Sequence, residues 1–482
     1  MSHPSPLSVR RRREATGRPV GPARARDPRR AALVGAALAV TLLAAGCGED
    51  DGGADGADGA DGDAAARTPR AELLHKVPSP AAKVRNAAGT MGMWTTDKHF
   101  VKADLGKIVG YPLDGGQAAW TVRLGGELCW STPEATEDGM VAVLFKDPKD
   151  AAKGCTRVGL VDLNRGRLRW QREGKEDGSA QMFDEVTIGA GTVAAGGTSG
   201  TAGWTLGGRP LWAPEYERTC GVRGYAGEGD SLVAVRDCGS TDHPRLKVQT
   251  LDPRSRTPKS TFPLPAGTEY VHVVSVRPLV LAVDDGKAQG GSGVSEFLSV
   301  DDSGPRGRLR GRIDAKGGKY GKYTADCPSS EITGCKQLAV DPKAGLLHLA
   351  TEKPVGSGSD AENSLVSFDL KTGEAKGTVE GTEAGELIPM GLDGSGKVLA
   401  YQKSDMFDER GGGVWRLDPA GGTKKQLLQN ASETYKVESD MEIGENRYRY
   451  AEGRLYLGAD EITSPSAGSK APPLAAVFGR AG

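Results

Sequence analysis

A strand–turn–strand pattern recurs along this 482-residue chain, and it constrains the fold more than any other feature. In each copy an apolar strand ends at or near Asp, a turn that carries Gly follows, and a second strand begins. The clearest copies are residues 160–170 and 366–373. Successive turns lie 42 to 50 residues apart, except for one interval of about 69 residues. The turns are at or near Gly116, Gly166, Gly208, Arg256, Gly304, Gly373, Gly422 and Gly468.

This period predicts an all-β fold, a β-propeller. A unit of about 40 to 50 residues that forms four short strands is typical of one propeller blade. Eight turns predict eight four-stranded blades, and seven is the alternative because the last unit is degenerate and the ends of propellers often share a blade. We find no helical period longer than two turns. The long interval predicts an inserted loop near residues 315–336 within a propeller of residues 70–482.

Three of the turns carry a glycine four residues before a tryptophan. Glycine suits a turn residue with positive φ, and we expect each tryptophan ring to pack between adjacent blades. The pairs are Gly116 with Trp120, Gly166 with Trp170, and Gly208 with Trp212.

Over most of residues 84–482 the pattern resembles the pyrroloquinoline-quinone-like propeller repeat, Ala-x-Asp-x-x-Thr-Gly-x-x-x-Trp. One copy matches at Asp369, Thr372 and Gly373, and another at Asp162, Gly166 and Trp170. The resemblance implies a β-propeller. Members of that family include quinoprotein dehydrogenases and noncatalytic scaffolds such as a lipoprotein that assists outer-membrane barrel assembly, so the resemblance implies the fold more strongly than a function.

The resemblance also implies what a quinone enzyme would need. Such an enzyme has two adjacent cysteines that form a disulfide beside the cofactor, and a carboxylate-rich calcium site. This chain has no Cys-Cys dipeptide. We therefore predict no pyrroloquinoline quinone and no other cofactor.

The N-terminal region predicts export and lipid attachment. Nine arginines precede an apolar run at residues 31–45, and small residues lead to Cys47. This is the order of a signal peptide, and a run of about 15 residues is shorter than the roughly 20 that a membrane span needs. The residues resemble a bacterial lipobox, although Ala44 stands where Leu is preferred. We predict a signal peptide at 1–46, a lipid-modified Cys47, and a location on the extracytoplasmic face of the cell membrane.

Charge separates a linker from the folded body. Residues 48–66 hold seven carboxylates and no base. Their Gly/Asp/Ala composition predicts a disordered acidic linker at 47–69, with an end-to-end distance of about 25 Å by random-coil scaling. The remainder is nearly neutral. It is therefore not expected to bind nucleic acid, which requires many Lys and Arg residues.

The six other cysteines are an even number in a compartment where disulfides persist. Fifteen pairings are possible, and the clustering along the chain favours the local one. That pairing is Cys129 with Cys155, Cys220 with Cys238, and Cys327 with Cys335. No CxxC motif exists and the six histidines are scattered singly, so we predict no metal site.

Two functions remain open. One is a binding or protein-interaction scaffold that uses the rim and central mouth of the propeller to hold an envelope protein or an extracellular ligand. The alternative is an extracytoplasmic oxidoreductase or lyase with its site in the axial channel; no catalytic residue is predicted. Tyr320 and Tyr323 in the inserted loop are the candidate partner contacts, and the competing interpretation is a disulfide-closed surface insertion.

Overall fold

The computed structural model describes residues 68–480, except 82–83, 85–86, 198, 214–218, 241–242, 287–292, 316–321, 353–361, 383–384 and 466–468. The predicted signal peptide, Cys47, most of the acidic linker, Tyr320 and Gly468 lie outside these residues. The described residues belong to one compact unit. Among the described residues, no helix is both long and apolar enough to cross a membrane.

The strands are named β1 to β37 in chain order. Strand β1 is Arg70–Val77 and β2 is Ala88–Gly89. Sheet 1 contains β3 Met93–Thr95, β4 His99–Asp104, β5 Lys107–Pro112 and β6 Trp120–Arg123. Sheet 2 contains β7 Leu128–Ser131, β8 Met140–Phe145, β9 Arg157–Asp162 and β10 Arg167–Glu173, with a 3-10 helix at Ala151–Lys153. A small hairpin of β11 Lys175–Glu176 and β12 Ser179–Ala180 follows.

Sheet 3 contains β13 Glu185–Gly189, β14 Thr192–Gly196, β15 Ala202–Thr205 and β16 Pro210–Trp212. Sheet 4 contains β17 Gly221–Glu228, β18 Ser231–Asp237, β19 Leu246–Leu251 and β20 Pro258–Pro263. Sheet 5 contains β21 Tyr270–Ser275, β22 Leu279–Asp284, β23 Glu296–Asp301 and β24 Arg308–Asp314. Sheet 6 contains β26 Leu338–Asp341, β27 Leu346–Thr351, β28 Ser364–Asp369 and β29 Ala375–Glu380, and β25 Tyr323–Thr324 also pairs with β27.

Sheet 7 contains β30 Leu387–Leu392, β31 Val398–Gln402, β32 Gly413–Asp418 and β33 Thr423–Asn430. A 3-10 turn at Ser432–Thr434 and the helix α1, Tyr435–Glu442, lead to the last sheet. Sheet 8 contains β34 Asn446–Ala451, β35 Arg454–Ala459, β37 Ala475–Gly479 and, as its outer strand, β1. The short strand β36, Glu461–Ile462, pairs with β2.

Eight apolar clusters join the sheets into a ring. Each cluster lies between two neighbouring sheets, from sheets 1 and 2 through sheets 7 and 8, and the eighth joins sheet 8 to sheet 1. Strand β8 shows the cause, because successive side chains of a strand point to opposite faces. Val141 and Val143 face sheet 1, whereas Ala142 and Leu144 face sheet 3. The predicted all-β propeller is confirmed. Among the described residues, sheet 6 has the extra strand β25, and sheets 7 and 8 are joined through β33 and β1. The number of blades, eight or seven, stays a prediction.

The repeat residues lie at the contacts between neighbouring sheets. The Trp120 ring of sheet 1 covers the turn at Gly166 in sheet 2, where φ is +59° and an added Cβ would be 2.3 Å from Trp120 Cγ. The Trp170 ring covers the turn at Gly208 of sheet 3 in the same way, and its Nε1 donates to Leu206 O at 2.9 Å. Each of these glycines is therefore required both by its backbone and by the neighbouring indole.

Aspartates hold the turns between the third and fourth strands of the sheets. Asp369 Oδ1 accepts from the backbone N–H groups of Lys371 at 2.7 Å and Thr372 at 3.2 Å. These hydrogen bonds, with Lys376, hold the pKa of Asp369 below its usual value. Asp162 likewise accepts from the N–H of Arg165 at 3.0 Å. The Asp of the repeat thus acts as a turn acceptor.

The ring is closed by the N-terminal strand. Strand β1 pairs antiparallel with β37, and its first residues also pair in parallel with the end of β33 in sheet 7. Sheet 8 therefore has no hairpin between its third and fourth strands. The eighth turn is expected near Gly468, which lies outside the described residues.

Candidate functional site

A cavity of about 440 Å³ lies on the axis of the ring. It is lined by the innermost strands of sheets 2 to 8, β7, β13, β17, β21, β26, β30 and β34, or by the loops that follow them. The exposed Glu134, Glu228 and Arg277, which lie in or next to those loops, form its rim. We call this cavity the axial cup, and we call the end of the ring where the innermost strands finish the open end.

Residues 326–337 cross the other end of the axis, and we call them the crossing segment. Asp326 and Lys336 exchange backbone hydrogen bonds, and the Cys327–Cys335 disulfide joins the residues between them. Ile332 is 3 % exposed and belongs to the cluster between sheets 4 and 5. Thr333, Gly334, Cys335 and Lys336 line the cup. The crossing segment therefore forms the floor of the cup at what we call the closed end.

Hydrogen bonds fix the crossing segment to two sheets on opposite sides of sheet 4. The N–H of Val273 donates to Ile332 O at 2.7 Å, and His272 Nδ1 lies 2.8 Å from Glu331 O, both on sheet 5. On sheet 3, Glu185 Oε2 accepts from the Thr333 hydroxyl at 3.1 Å. The crossing segment is thereby held inside the ring.

Glu185 is a buried acid at this contact. It is 1 % exposed, and burial raises its pKa to about 8. Its Oε1 has no hydrogen-bond partner among the described residues. Gly224 makes room for that oxygen, because a Cβ at Gly224 would be 1.8 Å from Oε1. A carboxyl group in such surroundings is kept protonated at neutral pH.

A charged cluster joins the crossing segment to sheet 8. Lys336 Nζ lies 3.1 Å from Asp326, 3.0 Å from Glu445 and 3.3 Å from Asp460. Arg447 Nη2 is 3.4 Å from the same Asp460 oxygen. Burial opposes the charged forms, yet the carboxylates hold the pKa of Lys336 above its usual value, and the two cations hold the pKa of Asp460 below its own. The ions therefore compensate one another inside the ring.

The wall of the cup has a polar side and an apolar side. Arg447 and Arg449 lie two residues apart on β34, so they point to the same side of the strand. Arg449 Nη2 bonds both oxygens of Glu134, at 2.7 and 2.8 Å, and so links sheet 8 to sheet 2 across sheet 1. The apolar side comes from sheets 5, 6 and 7 and includes Val274, Val276, Leu338, Val340, Ile388 and Met390.

All three disulfides lie at the closed end. They are Cys129–Cys155, Cys220–Cys238 and Cys327–Cys335, in the local pairing that the cysteine clustering favours. Cys129 and Cys220 lie near the starts of β7 and β17, whereas Cys155 and Cys238 follow the second strands of the same sheets. Starts of first strands and ends of second strands meet at one end of an antiparallel sheet.

The structure corrects the interpretation of the inserted loop. Tyr323 is 7 % exposed and packs edge to face on Phe368, with 5.1 Å between ring centroids, so its side chain is not available as a partner contact. The insertion is not a surface loop as a whole, because the crossing segment lies across the axis. Tyr320 is outside the described residues. Gly116, Gly166, Gly208, Gly373 and the repeat tryptophans do not line the cup.

Nothing in the sequence indicated these residues. Arg447 and Arg449 line the cup and Glu185 holds its floor, but none of the three belongs to a motif. Only their place in the first strand of a repeat would have indicated the axis. Among the described residues, no group of three His, Cys, Asp or Glu side chains is placed to hold a metal ion.

No protein-family model and no curated protein matches this sequence. Solved structures that are similar to it include BamB from Moraxella catarrhalis, at 12% identity and a TM-score of 0.44, over 85% of this chain and 99% of that one. The quinohemoprotein alcohol dehydrogenase ADHIIG from Pseudomonas putida HK5 gives 12% identity and a TM-score of 0.45, over 86% and 77%. Porphyromonas gingivalis dipeptidyl peptidase 4 gives 12% and 0.47, over 80% and 58%. The fold is established by the sheets of this chain. Membership of the quinone-like repeat family stays a prediction.

Proposed function

We propose that this chain is a membrane-anchored extracytoplasmic lipoprotein whose β-propeller is a binding scaffold, with the axial cup as its binding site. The observation that carries the proposal is the construction of the cup. Seven sheets contribute to its wall, and the crossing segment gives it a floor. Cavities of about 300 to 1,000 Å³ on a rigid framework are the usual form of ligand sites.

The lining suits a ligand with both polar and apolar parts. Arg447, Arg449 and Glu134 provide directed hydrogen-bonding groups on one side, and valine, leucine and methionine side chains provide contact area on the other. A few placed polar groups on a mostly apolar wall give orientation and affinity together. The bound molecule is a small molecule or a segment of an envelope protein that enters from the open end.

The cup can be tested by filling it. Ser275, half-buried in the lining, is replaced in the full-length lipoprotein by Ser275→Trp, and the exposed Ser303→Trp on the same sheet is the matched control. The proteins are purified in mild detergent from envelopes, and bound molecules are identified by native mass spectrometry. We expect a molecule bound to wild type and Ser303→Trp to be lost from Ser275→Trp. Equal occupancy in all three proteins, or none in wild type, would contradict the proposal.

A further inference from the structure

The closed end carries a second surface, which is apolar and exposed. The three most exposed large apolar side chains of the described residues are Met406, Phe407 and Ile443, at 62 %, 81 % and 88 % exposure. Met406 and Phe407 lie in the loop between β31 and β32, and Ile443 directly follows α1. Single exposed apolar residues are ordinary, but a cluster of this exposure marks a contact surface.

The loop is held beside the helix at two points, which brings the three side chains into one region. Ser404 donates its backbone N–H and its hydroxyl to Glu442 at the end of α1, at 3.0 and 3.1 Å. Tyr435, at the start of α1, donates its hydroxyl to Glu409 at 3.3 Å. We call Met406, Phe407 and Ile443 the apolar corner.

The helix beneath the apolar corner is itself fixed by buried polar contacts. Tyr401 Oη lies 2.8 Å from Glu438 and 2.7 Å from Glu442, and Asn430 donates to Glu438 at 2.8 Å. Glu438 is fully buried. The loop and α1 therefore present the apolar side chains on a fixed support, which lowers the entropy cost of binding.

Acidic side chains surround the apolar corner. The exposed ionisable residues of 404–410 and 432–445 are Asp408, Glu409, Glu433, Asp440 and Glu445, against one base, Lys436. Glu433 pairs with Arg70, and Glu445 pairs with Lys336. Acidic residues still outnumber basic ones around the apolar corner, and we call these residues the acidic rim. An acidic rim opposes adsorption to an anionic bilayer, and it favours a partner that carries basic side chains around an apolar centre.

Strand β1, which follows the predicted linker, begins near the apolar corner. Arg70 is the first residue of β1, and its Nη2 lies 3.1 Å from Glu433 Oε2. Glu433 is two residues before the start of α1. The 47–69 linker therefore joins the propeller next to the apolar corner. A chain attached to a membrane at Cys47, as in the proposed function, meets other membrane-associated proteins.

We propose that the apolar corner docks a protein segment with an apolar stripe flanked by Lys or Arg, on a membrane-associated partner. An apolar centre with a charged, complementary rim is the usual anatomy of a protein–protein contact, and opposite charge speeds its formation. This surface is separate from the axial cup. It can operate whether or not the cup binds a ligand.

The test uses the lipidated full-length protein in zwitterionic phosphatidylcholine nanodiscs, with empty discs as the blank. The probe is a fluorescein-labelled amphipathic Leu/Lys peptide, and Leu/Glu and Ser/Lys peptides of the same length are its controls. The variant Phe407→Ser/Ile443→Ser removes the apolar centre, and Asp408→Asn/Glu409→Gln/Asp440→Asn reduces the rim charge. Leu309→Ser, which changes a 43 % exposed apolar residue on sheet 5, is the matched control. Fluorescence anisotropy gives the Kd values.

We expect wild type and Leu309→Ser to bind the Leu/Lys peptide and to prefer it over both other peptides. Phe407→Ser/Ile443→Ser should weaken binding at least tenfold, and the rim variant and added salt should weaken it severalfold. Unchanged binding in Phe407→Ser/Ile443→Ser, or equal binding of the Leu/Glu peptide, would overturn the proposal. So would Phe407-dependent adsorption of the Cys47→Ala chain to phosphatidylglycerol vesicles, because the occupant would then be the bilayer.

Discussion

Glu185 accepts two hydrogen bonds from Thr333, one from the backbone N–H at 3.3 Å and one from the hydroxyl at 3.1 Å. Glu185 is the first residue of β13, the innermost strand of sheet 3, and Thr333 lies in the crossing segment. Both are buried. This contact joins sheet 3 to the crossing segment and holds the floor of the cup in place.

Replacing Glu185 should change how stability depends on pH. Burial raises the pKa of Glu185 from its usual 4.5 to about 8, so folding binds a proton between these pH values. The free energy of unfolding of wild type should therefore fall as pH rises from about 4.5 to about 8 because of this group. Glu185→Gln cannot ionise and should lose that part of the slope. Urea unfolding midpoints at pH 5, 7 and 9 measure it, and a constant difference between the two proteins would contradict the assignment.

Gly166→Ala should destabilise the ring more than a comparable glycine change elsewhere. The residue has φ of +59°, and its new Cβ would meet Trp120. Backbone strain costs about 1 kcal/mol, and the clash adds about 1 to 3 kcal/mol. Gly453→Ala is the control, because its φ is +71° but no atom lies within 4 Å of the new Cβ. Equal losses in thermal or urea unfolding would show that the indole contact contributes nothing.

The disulfides should differ in what they stabilise. Cys129 and Cys155 are 26 residues apart and Cys327 and Cys335 only 8. By loop-closure entropy, removing the first pair should cost about 3.5 kcal/mol and the second about 2.5 kcal/mol. Removing Cys327–Cys335 should also raise amide exchange at residues 328–334, whereas removing Cys129–Cys155 should leave exchange there unchanged. Hydrogen-exchange mass spectrometry of both double Ser variants makes this comparison.

Cys47→Ala should move the protein from the membrane fraction to the soluble fraction. Acyl chains contribute about 0.8 kcal/mol per buried methylene, so two or more give a stable anchor. Fractionation and immunoblotting of wild type and variant provide the measurement, and Cys47 is the only cysteine changed. A variant that remains fully with membranes would show that another part of the chain holds it there.

The repeat made the propeller predictable because it reports local turn chemistry. Asp369, Gly166 and Trp120 act within one turn or at the next sheet, so their spacing along the chain records the period of the fold. The local disulfides were predictable for the same reason. The outer strand of sheet 8 was not predictable. It is β1, Arg70–Val77, which lies far in sequence from its partner β37.

The axial cup could not be predicted because its residues come from seven sheets. Arg449 and Glu134 are 315 residues apart, and each alone is an ordinary charged residue. The crossing segment was recognised only as an interruption of the period. Periodicity locates such an interruption along the chain, but the direction that the segment takes depends on contacts such as Thr333 with Glu185.

The pairing of β1 with β37 also has a consequence for synthesis. A ribosome makes β1 before every other described strand, yet its antiparallel partner is the last of them. A nascent chain therefore carries an unpaired strand edge through nearly the whole of its elongation. Unpaired edges recruit other chains, so the time before the ring closes is when this protein is most exposed to aggregation.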